Sequence, residues 1–351
     1  MPNRAPMRIR AKHLPTFSST NGERFTFMRE IMYRDAVNEA LDQEMARDEN
    51  VFVIGEDVGI IGGNFKCTVG LREKYGDLRC KDSPISEGGV VGLGIGAALT
   101  GLRPVVELMF NDFIMVAMDQ ICNQAAKITY MSGGQTKVPL VIRTPLGAGR
   151  SSAAQHSQSF HAWVAHCPGL KVVTPSTGAE VKGLLKTAIR DDNPVLFFEH
   201  KMLYTQKFDT PEGDYTIPFG KANIVQEGDS ITIAATSTMV IKAMQVAREL
   251  KEQGIHAEVI DLRTIVPLDR ETIVKSVMKT GKLLIVDVGH ESFGISGEIA
   301  MAVMKDAFYY LDAPVLRLGV ADVPLPFSPA LEFPLIPDEK AIRDAVLSIV
   351  N

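Results

Sequence analysis

The sequence predicts an α/β protein of two three-layer domains, each a mostly parallel sheet flanked by helices. Three observations predict it. Short apolar runs rich in Val, Ile and Leu alternate with amphipathic stretches of helical period, the pattern of a parallel sheet covered on both faces. A polar, turn-rich segment over 208–220, with Asp209, Pro211, Gly213, Asp214, Pro218 and Gly220, interrupts that alternation once. Finally, 351 residues suit two domains better than one. We therefore expect a disordered arm over 1–26, a first domain over 27–207, a linker over 208–220 and a second domain over 221–351.

Taken in order, Ala36, Val37, Ala40, Leu41 and Met45 recur at helical spacing over 33–47. A buried strand over 51–54 follows and ends in Gly55-Glu56-Asp57-Val58-Gly59. Acids just past the carboxyl end of a parallel strand face either a ligand crevice or solvent. Asp82-Ser83-Pro84-Ile85-Ser86-Glu87 forms a turn into a helix with no further charge before Arg103. A strand over 103–108 precedes a helix expected over 112–131, capped by Asp112 and stopped by Ser132-Gly133-Gly134. A strand over 138–143 leads into a Gly/Ser/Ala-rich loop over 144–158. Strand 171–173, helix 179–190 and strand 195–198 complete the first domain. The second repeats the alternation: strands over 231–235, 257–262, 283–288 and 315–318, with helices over 238–253, 269–279 and 297–307.

Composition excludes several classes. Net charge −5 and a pI near 5.9 argue against nucleic acid as the main partner. No apolar run approaches the ~20 residues of a membrane span. Cys67, Cys80, Cys122 and Cys167 are widely spaced, which favours reduced thiols over a disulfide frame or zinc site. The basic start, with Arg4, Arg8, Arg10 and Lys12 ahead of any acid, distantly resembles an organelle transit peptide. The expected location is the cytoplasm, with mitochondrion or plastid as the alternative.

Glu87 is the first candidate for chemistry. A carboxylate at the mouth of an apolar helix is unfavourable unless its proton stays on or a donor meets it. The competing reading is an acid stabilised by the helix macrodipole. His156, His161 and His166 are five residues apart, so on a helix each would turn about 140° from the last. That spacing disfavours a shared metal and leaves His156, in the long loop, as the candidate catalytic histidine against a plain surface role. Gly92-x-Gly94-x-x-Ala97 matches a relaxed dinucleotide fingerprint but lacks the preceding strand, so its glycines read as helix-packing positions. No Gly-x-x-x-x-Gly-Lys-Ser/Thr loop and no Gly-Asp-Gly diphosphate motif occurs.

Together these stretches resemble the β subunit of the E1 component of 2-oxo acid dehydrogenase complexes, of the pyruvate and acetoin dehydrogenase type. The carrying motifs are Gly55-Glu56-Asp57-Val58-Gly59, Asp82 to Glu87 and Gly101-Leu102-Arg103-Pro104. With them come Tyr130-Met131-Ser132-Gly133-Gly134, Gln155-His156-Ser157-Gln158, the stretches over 166–173, 188–194 and 261–269, and Leu311-Asp312-Ala313-Pro314. The likeness covers nearly everything after residue 27.

The resemblance implies a transketolase-like pyrimidine-binding domain, a transketolase C-terminal domain, and a thiamine-diphosphate enzyme of α2β2 form. The α subunit would then supply the missing diphosphate motif and hold most of the Mg2+. By the resemblance, Glu87 meets N1′ of the aminopyrimidine and shares a proton there, favouring the imino tautomer that takes the thiazolium C2 proton. Phe113 matches the aromatic on the pyrimidine, and Ile85 and Met109 match residues lining its pocket. His156 matches the histidine that holds and protonates the lipoyl group. The positions for a potassium ion held by backbone carbonyls are Leu140, Ala188, Ile189, Asp191 and Asn193. Implied partners are the E1 α subunit, a second β chain and the E2 dihydrolipoyl acyltransferase.

Substrate stays open among pyruvate, acetoin and branched-chain 2-oxo acids. Residues 107–113 and 123–127 look closer to acetoin dehydrogenase β chains, whereas 261–269 looks pyruvate-like. The rival classes are a non-catalytic interaction subunit, a self-sufficient transketolase-like enzyme and a nicotinamide oxidoreductase using 92–97.

Overall fold

A computed structural model describes residues 27–350; the arm expected over 1–26 lies outside the described residues. Among the described residues, fourteen strands form three sheets. In chain order they are β1 (Met28–Met32), β2 (Val51–Gly55), β3 (Cys80–Asp82), β4 (Arg103–Glu107), β5 (Val141–Leu146), β6 (Lys171–Val173) and β7 (Val195–His200). Then come β8 (Lys207–Pro211), β9 (Asn223–Gln226), β10 (Ile231–Ala235), β11 (Ala257–Asp261), β12 (Thr264–Val266), β13 (Leu283–His290) and β14 (Leu316–Val320).

The first sheet has the order β12-β6-β7-β5-β4-β2-β3, parallel except for β12. Successive side chains of a strand point to opposite faces. Val51, Val53, Val105 and Val141 accordingly pack with Ala36, Val37, Leu41, Val181 and Leu185, from the helices Tyr33–Arg47 and Gly178–Arg190. Phe52, Ile54, Val106 and Ile142 belong instead to the core beneath helix Glu87–Leu99, with its Val90, Val91 and Ile95. That helix sits close to the sheet at Gly94, where a Cβ would lie 2.7 Å from Val106 Cγ2. The second sheet, β14-β13-β10-β11-β9, is parallel apart from β9.

Several expectations change. The helix expected over 112–131 is a 3-10 turn (Asn111–Ala117), a π-helical turn (Asp119–Ala125) and a short α-helix (Ile128–Met131). Asp112 does not cap it, because its Oδ1 accepts from Gln158 N (3.1 Å) and Nε2 (2.9 Å). Asn111 is likewise tied to Gln158 O and Phe160 N. Part of the expected linker is strand β8, paired antiparallel with β1. The loop expected over 144–158 is shortened by β5 and carries a 3-10 turn, Ala154–His156. Helix Glu339–Val350 was not anticipated.

The two halves interlock. Strand β12 leaves the second half to pair with β6. His161 Nε2 lies 2.9 Å from Asp287 Oδ2, and both side chains are buried. Arg263 Nη2 donates to Glu180 Oε1 at 2.6 Å. All four cysteines are free thiols, and among the described residues no helix is long and apolar enough to cross a membrane.

Candidate active site

Glu87 opens the helix Glu87–Leu99, whose preceding residue, Ser86, makes no side-chain cap. The carboxylate is 7% exposed, yet no hydrogen bond or ion pair reaches it from the described residues. The opening turn lies against the 3-10 turn Asn111–Ala117: a Cβ on Gly88 would sit 3.3 Å from the Val116 carbonyl. Phe113 stands on that turn, half-buried.

A second acid approaches from the loop after β2. Burial pushes the Glu56 carboxyl up, and the neighbouring charges of Glu87, Asp57 and Glu107 push it further. The loop is pinned by Asp82, which accepts from Gly59 N (2.6 Å), Ile60 N (3.1 Å) and Arg72 Nη1 (3.1 Å). Asp82 therefore holds in place the turn that follows the acids.

His156 ends the 3-10 turn Ala154–His156 and is half-buried. Its ring meets Phe110 edge-on at 5.0 Å and Phe113 at 5.3 Å between centroids. Phe110 and Phe113 are themselves 6.3 Å apart at 83°. Such edge-to-face packing favours one ring orientation. The structure thus groups His156 with Phe113 and brings Glu87's helix onto the same turn. Met109 is half-buried just past β4, whereas Ile85 is 80% exposed on the turn before Glu87.

A buried ion cluster that sequence reasoning missed spans strands β4, β5 and β7. Arg143 on β5 donates Nε and Nη2 to the two Glu199 oxygens, each at 2.8 Å, and Nη1 to Glu107 Oε2. Burial works against the Arg143 charge, but Glu199 and Glu107 outweigh it and hold its pKa well above the ordinary value. Burial pushes the Glu107 carboxyl up, against the opposing pull of Arg143. The available signal was a charge inside each of three apolar strands, at Glu107, Arg143 and Glu199.

Two further residues were missed. Lys201, directly after β7, is 4% exposed and its Nζ donates to the His156 carbonyl. Glu332, from the far end of the chain, is fully buried and accepts from Gly149 N (2.8 Å), Ser151 N (2.8 Å) and Ser151 Oγ (3.0 Å). Nothing local in the sequence signals either contact.

Of the carbonyls matched to a potassium ion, Leu140 O accepts from Val195 N at 2.9 Å and Ala188 O from Asp191 N at 3.3 Å. Ile189 O and Asp191 O accept from the Arg103 guanidinium at 2.8 and 2.7 Å, and the Asn193 amide bonds the Asp191 carboxylate at 2.9 Å. Neutral oxygens suit a hard cation, and each carbonyl keeps a second lone pair. Arg103 contends for two of them.

Comparison with known proteins places this geometry. Residues 29–207 match the family "Transketolase, pyrimidine binding domain" and residues 220–342 match "Transketolase, C-terminal domain". A solved structure titled "Split gene transketolase, inactive beta4 tetramer" shares the fold, with a TM-score of 0.76 at 23% identity over 91% of this chain and 98% of that one. The fold is therefore that of a transketolase-like α/β protein, with a first half of the pyrimidine-binding domain family. Curated relatives narrow this. The pyruvate dehydrogenase E1 component subunit beta of Rickettsia felis is 50% identical over 91% of this chain and 98% of that protein. The mitochondrial subunit of Homo sapiens is 46% identical over 92% and 91%, and beta-1 of Oryza sativa subsp. japonica is 49% identical over 90% and 86%. The chain belongs to the E1 β-subunit family of 2-oxo acid dehydrogenase complexes.

Proposed function

We propose that this chain is the β half of a thiamine-diphosphate-dependent E1 enzyme that decarboxylates pyruvate and reductively acylates the lipoyl group of an E2 acyltransferase. It works only when paired with an E1 α subunit in an α2β2 assembly. One observation carries the reading: Glu87 is a buried carboxylate without a donor, beside a second acid whose carboxyl burial pushes up. A basic ring nitrogen that shares a proton is the partner such a group lacks.

The coenzyme, when bound, supplies the electron sink for decarboxylation. Glu87 would share a proton with the pyrimidine, and Glu56, whose own carboxyl is pushed up by burial and by the charges of Glu87, Asp57 and Glu107, stands beside it. Phe113 would pack on the ring, and half-buried Met109 would help line its pocket. Exposed Ile85 completes the wall where the α subunit docks. His156 orients and protonates the lipoyl group. The diphosphate and Mg2+ fall to the α chain. A potassium ion would be held by the carbonyls at Leu140, Ala188, Ile189, Asp191 and Asn193, two of which, Ile189 and Asp191, also accept from Arg103.

The relatives' names favour pyruvate. Residues 107–113 keep acetoin as the second reading. The bacterial relative of nearly equal length supports a cytoplasmic setting, although the basic residues within 1–26 lie outside the described residues. The test is co-expression with an α partner, then turnover on pyruvate, acetoin and branched-chain 2-oxo acids with thiamine diphosphate. Glu87→Gln is expected to lower turnover by roughly 10²–10⁴-fold, the usual scale for a lost proton-transfer group. Wild-type turnover in that assembled variant would overturn the reading.

A further inference from the structure

The loop over 147–158 carries His156 and is tied down at three places. Near its start, the Glu332 carboxylate takes the three hydrogen bonds from Gly149 and Ser151. At its end, Asp112 takes the main-chain and side-chain N–H of Gln158. Between them Ser151 and Ala153 adopt positive φ, 55° and 63°, which β-carbon-bearing residues rarely hold without outside support. The third tie is the only one of these made by a cation. Lys201 Nζ donates to the His156 carbonyl and lies 5.3 Å from the Phe110 ring centroid, and that ring packs edge-on against the His156 imidazole.

We infer that Lys201 is a positioning residue for the acyl-transfer step, holding His156 by its backbone carbonyl and by the shared Phe110 ring, and that it does so as the ammonium. The inference rests on the reading that His156 meets the lipoyl group. Two properties of the ammonium are needed. A charged donor makes a hydrogen bond about twice as strong as a neutral one, and only the cation is attracted to the Phe110 face.

The surroundings make that charge conditional. Facing Lys201 are Asp112 from the 3-10 turn, Arg150 from the loop, Glu332 from the second half, His200 at the end of β7, and His156 itself. Burial lowers the Lys201 pKa to about 8, Asp112 and Glu332 pull it back up, and Arg150 opposes them. His200 adds no charge: burial, Lys201 and Lys242 bring its pKa down to about 3, and its Nδ1 accepts from Met202 N at 3.2 Å. The cation therefore predominates at neutral pH and is lost as pH rises through about 8.

The experiment compares wild type, Lys201→Met, Lys201→Arg and His156→Ala, each assembled with the α subunit. Three readouts are needed: reductive acylation of a free lipoyl domain, turnover with an artificial oxidant, and hydrogen exchange of residues 147–158. Lys201→Met is expected to lower lipoyl acylation roughly 10- to 100-fold, the scale for a misplaced group, and to lower it more than oxidant turnover, with faster exchange in the loop. The alkaline fall of lipoyl acylation should vanish in Lys201→Met. In Lys201→Arg both the rate and loop protection should persist, with the fall moved to higher pH because a guanidinium stays charged. Wild-type loop exchange and wild-type lipoyl acylation in Lys201→Met would overturn the inference. So would an unmoved alkaline limb in Lys201→Arg, the variant that decides if Lys201→Met does not assemble. Equal losses in both assays for His156→Ala would overturn the lipoyl reading instead, while loop exchange would still report whether Lys201 holds the segment.

Discussion

Replacing Arg143 by Met tests the foundation of the site. The guanidinium makes three hydrogen bonds, two to Glu199 and one to Glu107, and all three side chains are at most 7% exposed. Removing one partner of a buried pair costs about 3–5 kcal/mol, because the charge left behind has neither water nor counter-ion. Here two carboxylates share one cation, so the upper end applies. Against the roughly 5–15 kcal/mol that holds a typical domain together, that loss brings the variant close to unfolding. The assay is urea unfolding followed by circular dichroism across pH. Burial already pushes Glu107 up, and without the opposing pull of Arg143 it shifts further. An acid raised in the folded state contributes stability that is complete below its unfolded pKa and is lost as pH rises through the folded value. The deficit should therefore be smallest near pH ~4 and grow towards neutrality. Adding Glu107→Gln and Glu199→Gln should recover part of it by removing the orphaned charges. An Arg143→Met deficit of the same size at every pH, or none at neutral pH, would refute the reasoning.

The seam between the halves and the helix–sheet contact at Gly94 can be tested in the same way. Asp287→Asn at the seam between the halves should cost about 1.5–3 kcal/mol, the value of hydrogen bonds to a charged group. Burial opposes the Asp287 charge, but His161, Thr236 and the Val288 N–H outweigh it and hold the carboxyl below its ordinary range. Its contribution is present above the unfolded pKa of about 3.9 and is lost as pH falls through the folded value, so thermal unfolding curves of wild type and variant should converge in acid. Curves that stay apart there would argue against the seam. Gly94→Ala should destabilise by about 1–3 kcal/mol by overpacking, since the new Cβ would meet Val106 Cγ2 at 2.7 Å and Leu140 Cδ1 at 3.1 Å. Gly96→Ala, with nothing within 4 Å, is the control and should gain about 0.5–1 kcal/mol from helix propensity. A stabilised Gly94→Ala would mean the helix can lift off the sheet without loss.

The central strands were legible because burial on both faces leaves an uninterrupted apolar run, as in β2, β7, β10 and β13. Short or half-exposed strands carry no such run. β1, β9 and β12 are strands because of what lies beside them, in the case of β1 and β8 a partner some 180 residues away. The helix expected from Asp112 failed for a related reason. Asn111 and Asp112 have the chemistry of a cap, but the loop ending at Gln158 and Phe160 offers their side chains better partners.

The candidate site divides along the same line. Glu87 stood out as a lone acid before an apolar helix, and His156 as a histidine in a long loop; both signals are local composition. By itself the chain of letters determined the alternation of strands and helices, the two-part organisation and the chemical types on offer. Only the tertiary structure decided which charges meet, namely Arg143 with Glu107 and Glu199, Glu56 with Glu87, and Lys201 and Glu332 with the loop of His156. The physical reason is range. Periodicity reports whether a side chain turns towards water or core, which neighbours within a few residues settle, while the partner of a buried charge is set by strand order and by how two halves close on each other.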